Sequence, residues 1–159
     1  MAKISGTMAH AMVDPQTAAL NAADWTGVLA EVPLFAGMST RHVRGVAKLA
    51  KILRLPAYSQ IVREGEAADA FFLILDGGAV VRPPGKRPVK LGVGDYFGEL
   101  ALLVDAPRSA TVEAQGEVLL ARIGRRDFLA MLEKEPKVCL VLLRTLAERL
   151  RSSESSAKH

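Results

Sequence analysis

Cysteine is almost absent from this sequence, because Cys139 is the only one in its 159 residues. A single cysteine cannot form an intrachain disulfide, so the core must be held by packing, as in proteins of reducing compartments. We therefore expect a cytoplasmic protein. No base that could activate a thiol lies near Cys139 in the sequence, and we interpret it as a buried helical residue.

Histidine is nearly as scarce, with only His10, His42 and His159. Metal sites need clustered histidine, cysteine or carboxylate ligands, and these three positions do not supply them. We expect no metal and no cofactor, and we interpret His42 as a surface group. A metal-dependent jelly-roll enzyme is accordingly the least favoured of the functions we consider.

Long apolar runs are also missing, since Val138–Leu143 is interrupted at Arg144. A bilayer-spanning helix needs eighteen or more apolar residues, so we expect no membrane segment. The first residues mix Lys3 with polar and small side chains, which is not the pattern of a secretory signal.

The composition is that of a folded domain, with 50% hydrophobic and 24% charged residues. Disorder throughout and collagen-like repetition are excluded. The net charge of +4 arises from scattered residues and is weak evidence for nucleic-acid binding. The basic tip between Arg82 and Lys90 is interpreted as a solvated loop, with phosphate contact as the less favoured alternative.

Three regions can be distinguished along the chain. Residues 1–24 are predicted to be a flexible or loosely helical extension, residues 25–151 a single domain, and residues 152–159 a polar tail. Within the domain, Ser39 is a plausible N-cap for an amphipathic helix that ends before Pro56.

Short apolar runs separated by glycines follow from Ala57 to about Ile123, which predicts strands. Turns are expected at Gly77-Gly78 and at Pro83-Pro84-Gly85. The fold class is therefore mainly β with flanking α-helices, arranged as a jelly-roll-like β-roll. Two helices close the domain, and the second is expected to run from Pro136 to about Arg151.

A cradle for an anion is predicted where a glycine, a short helix and an arginine follow one another closely. Gly98 lets the backbone approach a ligand, and the short helix Glu99–Leu103 would present N–H groups to an anion. Arg108 can hold phosphate oxygens with two donors, while Ser109 adds a hydroxyl and Ala110 leaves room for the ligand. The segment is predicted to be a pocket wall.

A carboxylate at Glu99 would repel a phosphate unless it faces another group. An ionised carboxylate only accepts hydrogen bonds, so a ribose 2′-hydroxyl is a suitable partner while Arg108 partly neutralises the charge. One ligand could therefore satisfy both residues.

This region resembles the phosphate-binding cassette of a known family. The matching blocks are Phe97-Gly98-Glu99-Leu100-Ala101-Leu102 and Pro107-Arg108-Ser109-Ala110-Thr111. They are similar to the cyclic nucleotide-binding domains of catabolite-activator-type regulators, of cAMP-dependent kinase regulatory subunits and of cyclic nucleotide-gated channels. The resemblance extends over Val32 to Arg151.

The resemblance implies roles for individual residues. In that family the position of Glu99 binds the ribose 2′-hydroxyl, and the position of Arg108 binds the cyclic phosphate. Leu102 matches a relay contact between the cassette helix and the hinge that leads to the last helix, although a plain core leucine explains it equally well. The remaining cradle positions, which act through backbone groups in the family, are Gly98, Leu100, Ser109 and Ala110.

Recognition of the base is less defined by the resemblance. Val81 and Leu91 match positions that face the base or the sugar, although core packing is an equal explanation. Polar groups near the end of the last helix are further candidates, with a solvated helix end as the alternative for each: Ser152, Ser153, Arg144, Arg149 and Arg151. Of these we select Arg151 and Ser153.

The residue after the cassette arginine often decides between cAMP and cGMP in this family, where threonine favours guanine. Ser109 shares that hydroxyl chemistry but also occurs in cAMP binders. We favour cAMP over cGMP as the ligand.

The sequence shows no effector segment that ligand binding could control. A helix-turn-helix, a kinase and a transmembrane segment are all missing after Arg151, so we expect no DNA-binding module and no enzyme. We predict a sensor whose last helices move on binding and act on an unknown protein effector. It is either a stand-alone receptor or one domain of a larger chain.

The apolar stripe of the last helix can pack on the roll or on a second copy, so a homodimer is a further expectation. The alternative function is an interaction module whose nucleotide pocket is degenerate or unused. The intact Glu99 and Arg108 argue against that alternative.

Overall fold

The computed structural model describes residues 19–21 and 23–157. Residues 1–18 and 22 of the predicted extension, and residues 158–159 of the predicted tail, lie outside the described residues.

The described part of the chain contains six strands in one antiparallel sheet, with β3 and β6 at its centre. The order is β1-β6-β3-β4, while β2 pairs with β6 and β5 pairs with β3. This confirms the prediction of a mainly β domain. The strands are β1 Lys51–Leu55, β2 Gln60–Val62, β3 Ala70–Arg82, β4 Val89–Leu91, β5 Tyr96–Phe97 and β6 Thr111–Gly124.

Helices flank the sheet in sequence and in space. Ser39 caps the second helix as predicted, because its side chain accepts a hydrogen bond from the His42 N–H at 3.3 Å. A 3₁₀ turn, Pro33–Phe35, joins the first two helices. The helices are α1 Thr26–Ala30, α2 Thr40–Leu49, α3 Glu99–Leu103, α4 Arg125–Lys134 and α5 Pro136–Ala157.

Strand β3 separates two apolar clusters. Successive side chains of a strand point to opposite faces, so Phe71 and Leu73 join the cluster formed with the helices. Phe72 and Ile74 join the cluster inside the roll. A strand buried on both faces explains why this run is continuously apolar.

The sequence prediction is wrong for Lys51–Leu55, because it extended the helix beyond Leu49 and began the strands only at Ala57. The segment Lys51–Leu55 forms β1, and Ile52 pairs with Ala121 of β6. Ile52 and Leu55 are buried on the sheet, so pairing with β6 overrides the local helical pattern.

The predicted turn at Gly77-Gly78 is wrong, because both glycines lie inside β3. The register between β3 and β6 shifts on either side of Asp76, and Gly77 has φ +80°. A Cβ at Gly77 would lie 2.3 Å from the Glu117 carbonyl oxygen. The glycines therefore form a bulge that bends the strand, whereas the turn expected at Pro84-Gly85 is present.

The last helix is longer than predicted and continues through residues 152–157 to Ala157. The serine-rich sequence after Arg151 contains no glycine or proline to end the helix. Serine is only mildly unfavourable in a helix, so this segment continues α5 instead of forming a separate tail.

We predict that Gly77→Ala lowers the free energy of unfolding by about 2 to 5 kcal/mol, because it adds a left-handed backbone penalty to a clash. Gly85→Ala is the matched control, since Gly85 also has positive φ but open space around it. The control should lose about 1 to 2 kcal/mol. Urea denaturation measures both, and equal losses would contradict the role of the bulge.

Candidate functional site

Gly98 shapes one side of the site, between β5 and α3. It has φ +96° and precedes the first residue of α3. A Cβ at this position would lie 2.8 Å from Nη1 of Arg108 and 2.9 Å from the Ala70 carbonyl oxygen. Only glycine allows this conformation and this close approach together.

The Arg108 side chain is held firmly inside the roll and is only 5% exposed. Its Nη2 donates to the Ala70 carbonyl oxygen at 2.7 Å, and its Nη1 donates to the Gly98 carbonyl oxygen at 3.1 Å. Burial lowers the pKa of this guanidinium, and Asp69 opposes the shift. Arginine remains charged in proteins, so a fixed positive charge faces the pocket.

Asp69 links Arg108 to the rest of the sheet, and the sequence analysis did not identify it. One carboxylate oxygen lies 3.6 Å from Arg108 and the other lies 3.3 Å from Arg122. The Arg125 N–H donates to the Asp69 carbonyl oxygen at 2.9 Å. Asp69 is far from Arg108 in sequence, and no local pattern pointed to this contact.

Glu99 is the second charged group of the site and is 2% exposed. Nη1 of Arg149, on α5, lies 3.3 Å from Oε2 of Glu99. Burial raises the pKa of the Glu99 carboxyl, while Arg149 and Arg108 act in the opposite direction. A carboxylate buried in this way needs a hydrogen-bond donor, either from the protein or from a ligand.

A cavity of about 390 Å³ brings these groups together. Its volume is within the usual range for small-molecule sites. Val81 and Leu91 form part of its apolar wall and also pack against the apolar cluster inside the roll, and Arg149 lies at its α5 side. The other predicted residues that line it are Gly98, Glu99, Leu100, Arg108, Ser109 and Ala110.

The two predicted base contacts on α5 do not line this cavity, and neither does the predicted relay residue, Leu102. Leu102 is buried in the cluster between the sheet and the helices, where it packs as a core leucine. Arg151 and Ser153 are exposed on α5 and do not line the cavity. Arg149, another of the candidates named on the last helix, lines the cavity and contacts Glu99.

The arrangement combines one buried cation, one buried carboxylate and an apolar wall. It can therefore hold a ligand that carries an anionic group, a hydroxyl donor and an apolar or aromatic part. Over residues 19–21 and 23–157, no three potential metal-ligating side chains form a cluster. The same residues include no helix with the length and hydropathy required to cross a bilayer.

The chain belongs to the cyclic nucleotide-binding domain family, whose model matches residues 52–135. It is 42% identical over 106 residues to the cAMP-dependent protein kinase regulatory subunit of Emericella nidulans, covering 65% of this chain and 26% of that protein. It is 35% identical over 122 residues to a cyclic nucleotide-gated potassium channel of Rhizobium etli, covering 77% and 34%. The chain thus spans about a third or less of these relatives.

Two solved structures show the same fold. The regulatory domain of Toxoplasma gondii protein kinase A with cAMP has a TM-score of 0.70 and 30% identity, covering 87% of this chain and 54% of that one. The Thermus thermophilus catabolite activator protein has a TM-score of 0.71 and 29% identity, covering 79% and 62%. These likenesses confirm the predicted β-roll.

The raised pKa of Glu99 predicts a dependence of stability on pH. The folded protein binds this proton more tightly than the unfolded chain, so the associated stability is present at low pH. It is lost as the pH rises from the ordinary value of 4.5 through the folded-state value. We therefore expect wild type to lose stability relative to Glu99→Gln as the pH rises above 4.5.

Urea denaturation at several pH values measures this difference. The control is Glu133→Gln, which changes an exposed glutamate on α4 and should not show the trend. A difference between wild type and Glu99→Gln that stays constant with pH would contradict the burial of a titrating carboxyl.

Proposed function

We propose that this chain is a regulatory domain that binds a cyclic nucleotide, with cAMP favoured over cGMP, and transmits the event through α5. The observation that carries the proposal is that buried Glu99 and Arg108 line one cavity of suitable size. Two buried charges of opposite sign match a ligand that presents both a phosphate and a ribose hydroxyl.

In the proposed complex the cyclic phosphate lies against Arg108, Ser109 and Ala110. Two of the five N–H donors of Arg108 hold backbone carbonyls at Ala70 and Gly98. Asp69 lies 3.6 Å from Nη2, and the donors that are not directed at these three groups are available to phosphate oxygens. The guanidinium is therefore oriented before the ligand arrives, which reduces the entropy lost on binding.

The ribose 2′-hydroxyl donates to Glu99 in this proposal. The carboxylate has several lone pairs, so it can accept from a hydroxyl while it keeps its contact with Arg149. The base would pack on Val81 and Leu91, whose side chains form the apolar wall. Backbone groups at Gly98 and Leu100 would complete the ribose and phosphate contacts.

The preference for cAMP rests on Ser109 and on the similarity to a kinase regulatory domain solved with cAMP. Ser109 offers a hydroxyl, as threonine does, without the additional methyl group. We propose no enzymatic step, and the relatives named above include a regulatory subunit.

Movement of α5 would report occupancy. Arg149 connects α5 to Glu99. A ligand that changes the environment of Glu99 therefore also changes the contact between Glu99 and Arg149 that holds α5. Leu102 packs in the apolar cluster between the sheet and the helices, and it would pass the same displacement to those helices. An unidentified protein effector that contacts α5 would receive the signal.

Replacement of Arg108 tests the phosphate assignment. Arg108→Ala should weaken cAMP binding by about 2 to 5 kcal/mol, or about 30-fold to several thousand-fold, because it removes one partner of a buried charge pair. Isothermal titration calorimetry with cAMP and with cGMP measures the affinities. Wild-type binding that is tighter for cGMP would overturn the preference for cAMP.

The Arg108 side chain also binds two carbonyls, so circular dichroism must show that the variant is folded. Arg108→Lys keeps the charge without the two-pronged geometry and should show an intermediate loss. Arg126→Ala is the control, since Arg126 is exposed on α4. Unchanged cAMP affinity in folded Arg108→Ala would rule out the assignment.

A 2′-deoxy analogue tests the ribose contact. Wild type should prefer cAMP over 2′-deoxy-cAMP by about tenfold or more, the value of a hydrogen bond to a charged group. Glu99→Gln should reduce this ratio toward one while the fold persists. If both proteins discriminate equally, Glu99 does not contact the 2′-hydroxyl.

We also propose that α5 pairs with α5 of a second copy. Three exposed leucines lie along it, with Leu143 at 63% exposure. Leu140, Leu143, Ala147 and Leu150 follow the three-four-three spacing of a coiled-coil seam. Arg144 and Arg151 lie on one flank only, so a parallel pair avoids facing arginines.

Analytical ultracentrifugation tests this pairing. Wild type should self-associate, and Leu143→Glu should shift it to monomer because a charge enters the seam. Glu148→Gln, which lies outside the seam, is the control. Monomeric wild type at the highest concentration reached would contradict the proposed dimer.

A further inference from the structure

One stretch of the chain carries positive charge without any acidic counterpart. Basic residues occur throughout the sequence, but six of the 21 Lys and Arg lie between Val32 and Arg63, where there is no Asp or Glu. This stretch contains α2 and β1. No residue of α2 lines the cavity described above, so the positive charge on this helix has no role in the site assigned there.

Packing fixes which side of α2 faces outward. Val43 and Val46 are 1% and 2% exposed and pack in the cluster between the sheet and the helices. Residues at i, i+3, i+4 and i+7 share one face of a helix, and such a set is exposed on the side opposite these valines. We call this set the basic face of α2, and its members are Arg41, Arg44, Gly45 and Lys48.

The cations of the basic face have no counterions of their own. Among the ion pairs of residues 19–21 and 23–157, none includes Arg41, Arg44 or Lys48. Arg44 acts on the charge of Asp24 without forming an ion pair with it. Residues 1–18 contain a single acidic residue, Asp14, so that segment does not match three cations. A complementary negative charge therefore has to come from another molecule.

Glycine at position 45 is not required by the packing of the described residues. A Cβ there would meet no atom within 4 Å, and alanine is more stable than glycine inside a helix. Gly45 lies on the basic face between Arg41 and Lys48. A partner's backbone can therefore approach α2 closely at this point, while the cations on either side reach toward the partner.

The spacing of the cations favours an acidic helix over a nucleic acid. Arg41 and Lys48 are about 10 Å apart along the helix axis, which is also the spacing of carboxylates at i and i+7 of a second helix. Arginine pairs with a carboxylate through two donors. Proteins that bind DNA tightly make about six to ten phosphate contacts, whereas this face has only three cations.

We propose that the basic face of α2 binds an acidic helix of a partner protein. Arg41, Arg44 and Lys48 pair with carboxylates of that helix, and its backbone passes over Gly45. This surface lies outside the cavity, so the proposal does not depend on the proposed function.

A synthetic helical peptide of alanine and glutamate, with glutamates at i, i+3, i+4 and i+7 spacing, is the probe for the test. Fluorescence anisotropy of the labelled peptide measures its binding to the full chain at low salt, without nucleotide. Wild type should bind the peptide. The α2 variant, Arg41→Gln/Arg44→Gln/Lys48→Gln, should bind it about tenfold more weakly, the combined value of three exposed ion pairs. No binding by wild type would overturn the proposal.

A matched variant separates the basic face from net charge. Lys86→Gln/Arg87→Gln/Lys90→Gln removes the same charge from the tip between β3 and β4, where all three side chains are exposed. This variant should bind the peptide nearly as wild type does. An equal loss in this variant and in the α2 variant would show that only net charge attracts the peptide, and would overturn the proposal.

Replacement of Gly45 tests the close approach. Gly45→Ala should raise the melting temperature by about 2 to 4 °C and yet weaken peptide binding about threefold or more, because the added methyl group lies in the contact. Gly27→Ala is the control, since Gly27 is an exposed helical glycine on α1 that also has open space around it. The control should not weaken peptide binding. Unchanged peptide affinity in Gly45→Ala would contradict the close approach.

Two other occupants are tested with the same variants. A single-stranded oligonucleotide with as many charges as the peptide should bind wild type more weakly than the peptide does. Tighter binding that the α2 variant loses would assign the face to nucleic acid and overturn the proposal. In analytical ultracentrifugation, Leu143→Glu should be monomeric. Self-association of Leu143→Glu that the α2 substitutions remove would identify a second copy as the occupant and would also overturn it.

Discussion

The burial of the Arg108 guanidinium determines how the rest of the site is arranged. A charge so little exposed must have its donors satisfied, and the carbonyls of Ala70 in β3 and of Gly98, between β5 and α3, do this. The backbone at Gly98 therefore lies so close that a side chain there would collide with the arginine. Asp69 then fixes the same group to the sheet through Arg122.

Glu99 follows from the same constraint, because a carboxylate can be buried near Arg108 only where positive charge surrounds it. Arg149 supplies the second positive charge from α5. The electrostatic balance of the pocket thus involves a helix that is remote in sequence from the cassette. Any ligand that enters must fit into an arrangement of three charges, and α5 is part of that arrangement.

The sequence was sufficient to predict the cassette, because Gly98, Glu99 and Arg108 lie close together and their chemistry is local. It also indicated the β-roll through its short apolar runs and the start of α5 through Pro136. Asp69 was not assigned in this way, and Arg149 was only one of several candidates on the last helix, because both reach the site through long-range packing. The strand Lys51–Leu55 was missed for the same reason, and Gly77-Gly78 was mistaken for a turn because a bulge and a turn both use glycine with positive φ.

The pairing of β3 with β6 has a consequence for how the protein is made. Ala70 pairs with Gly124 at one end of this ladder, and Arg82 pairs with Thr111 at the other. Contacts between such distant residues form late and slow the folding of a domain. The ribosome must therefore synthesise the chain to Gly124 before the complete ladder between β3 and β6 can form. Until then the nascent chain has the complete cassette sequence but no pocket, and an early stop within β6 would leave the apolar faces of β3 exposed to aggregation.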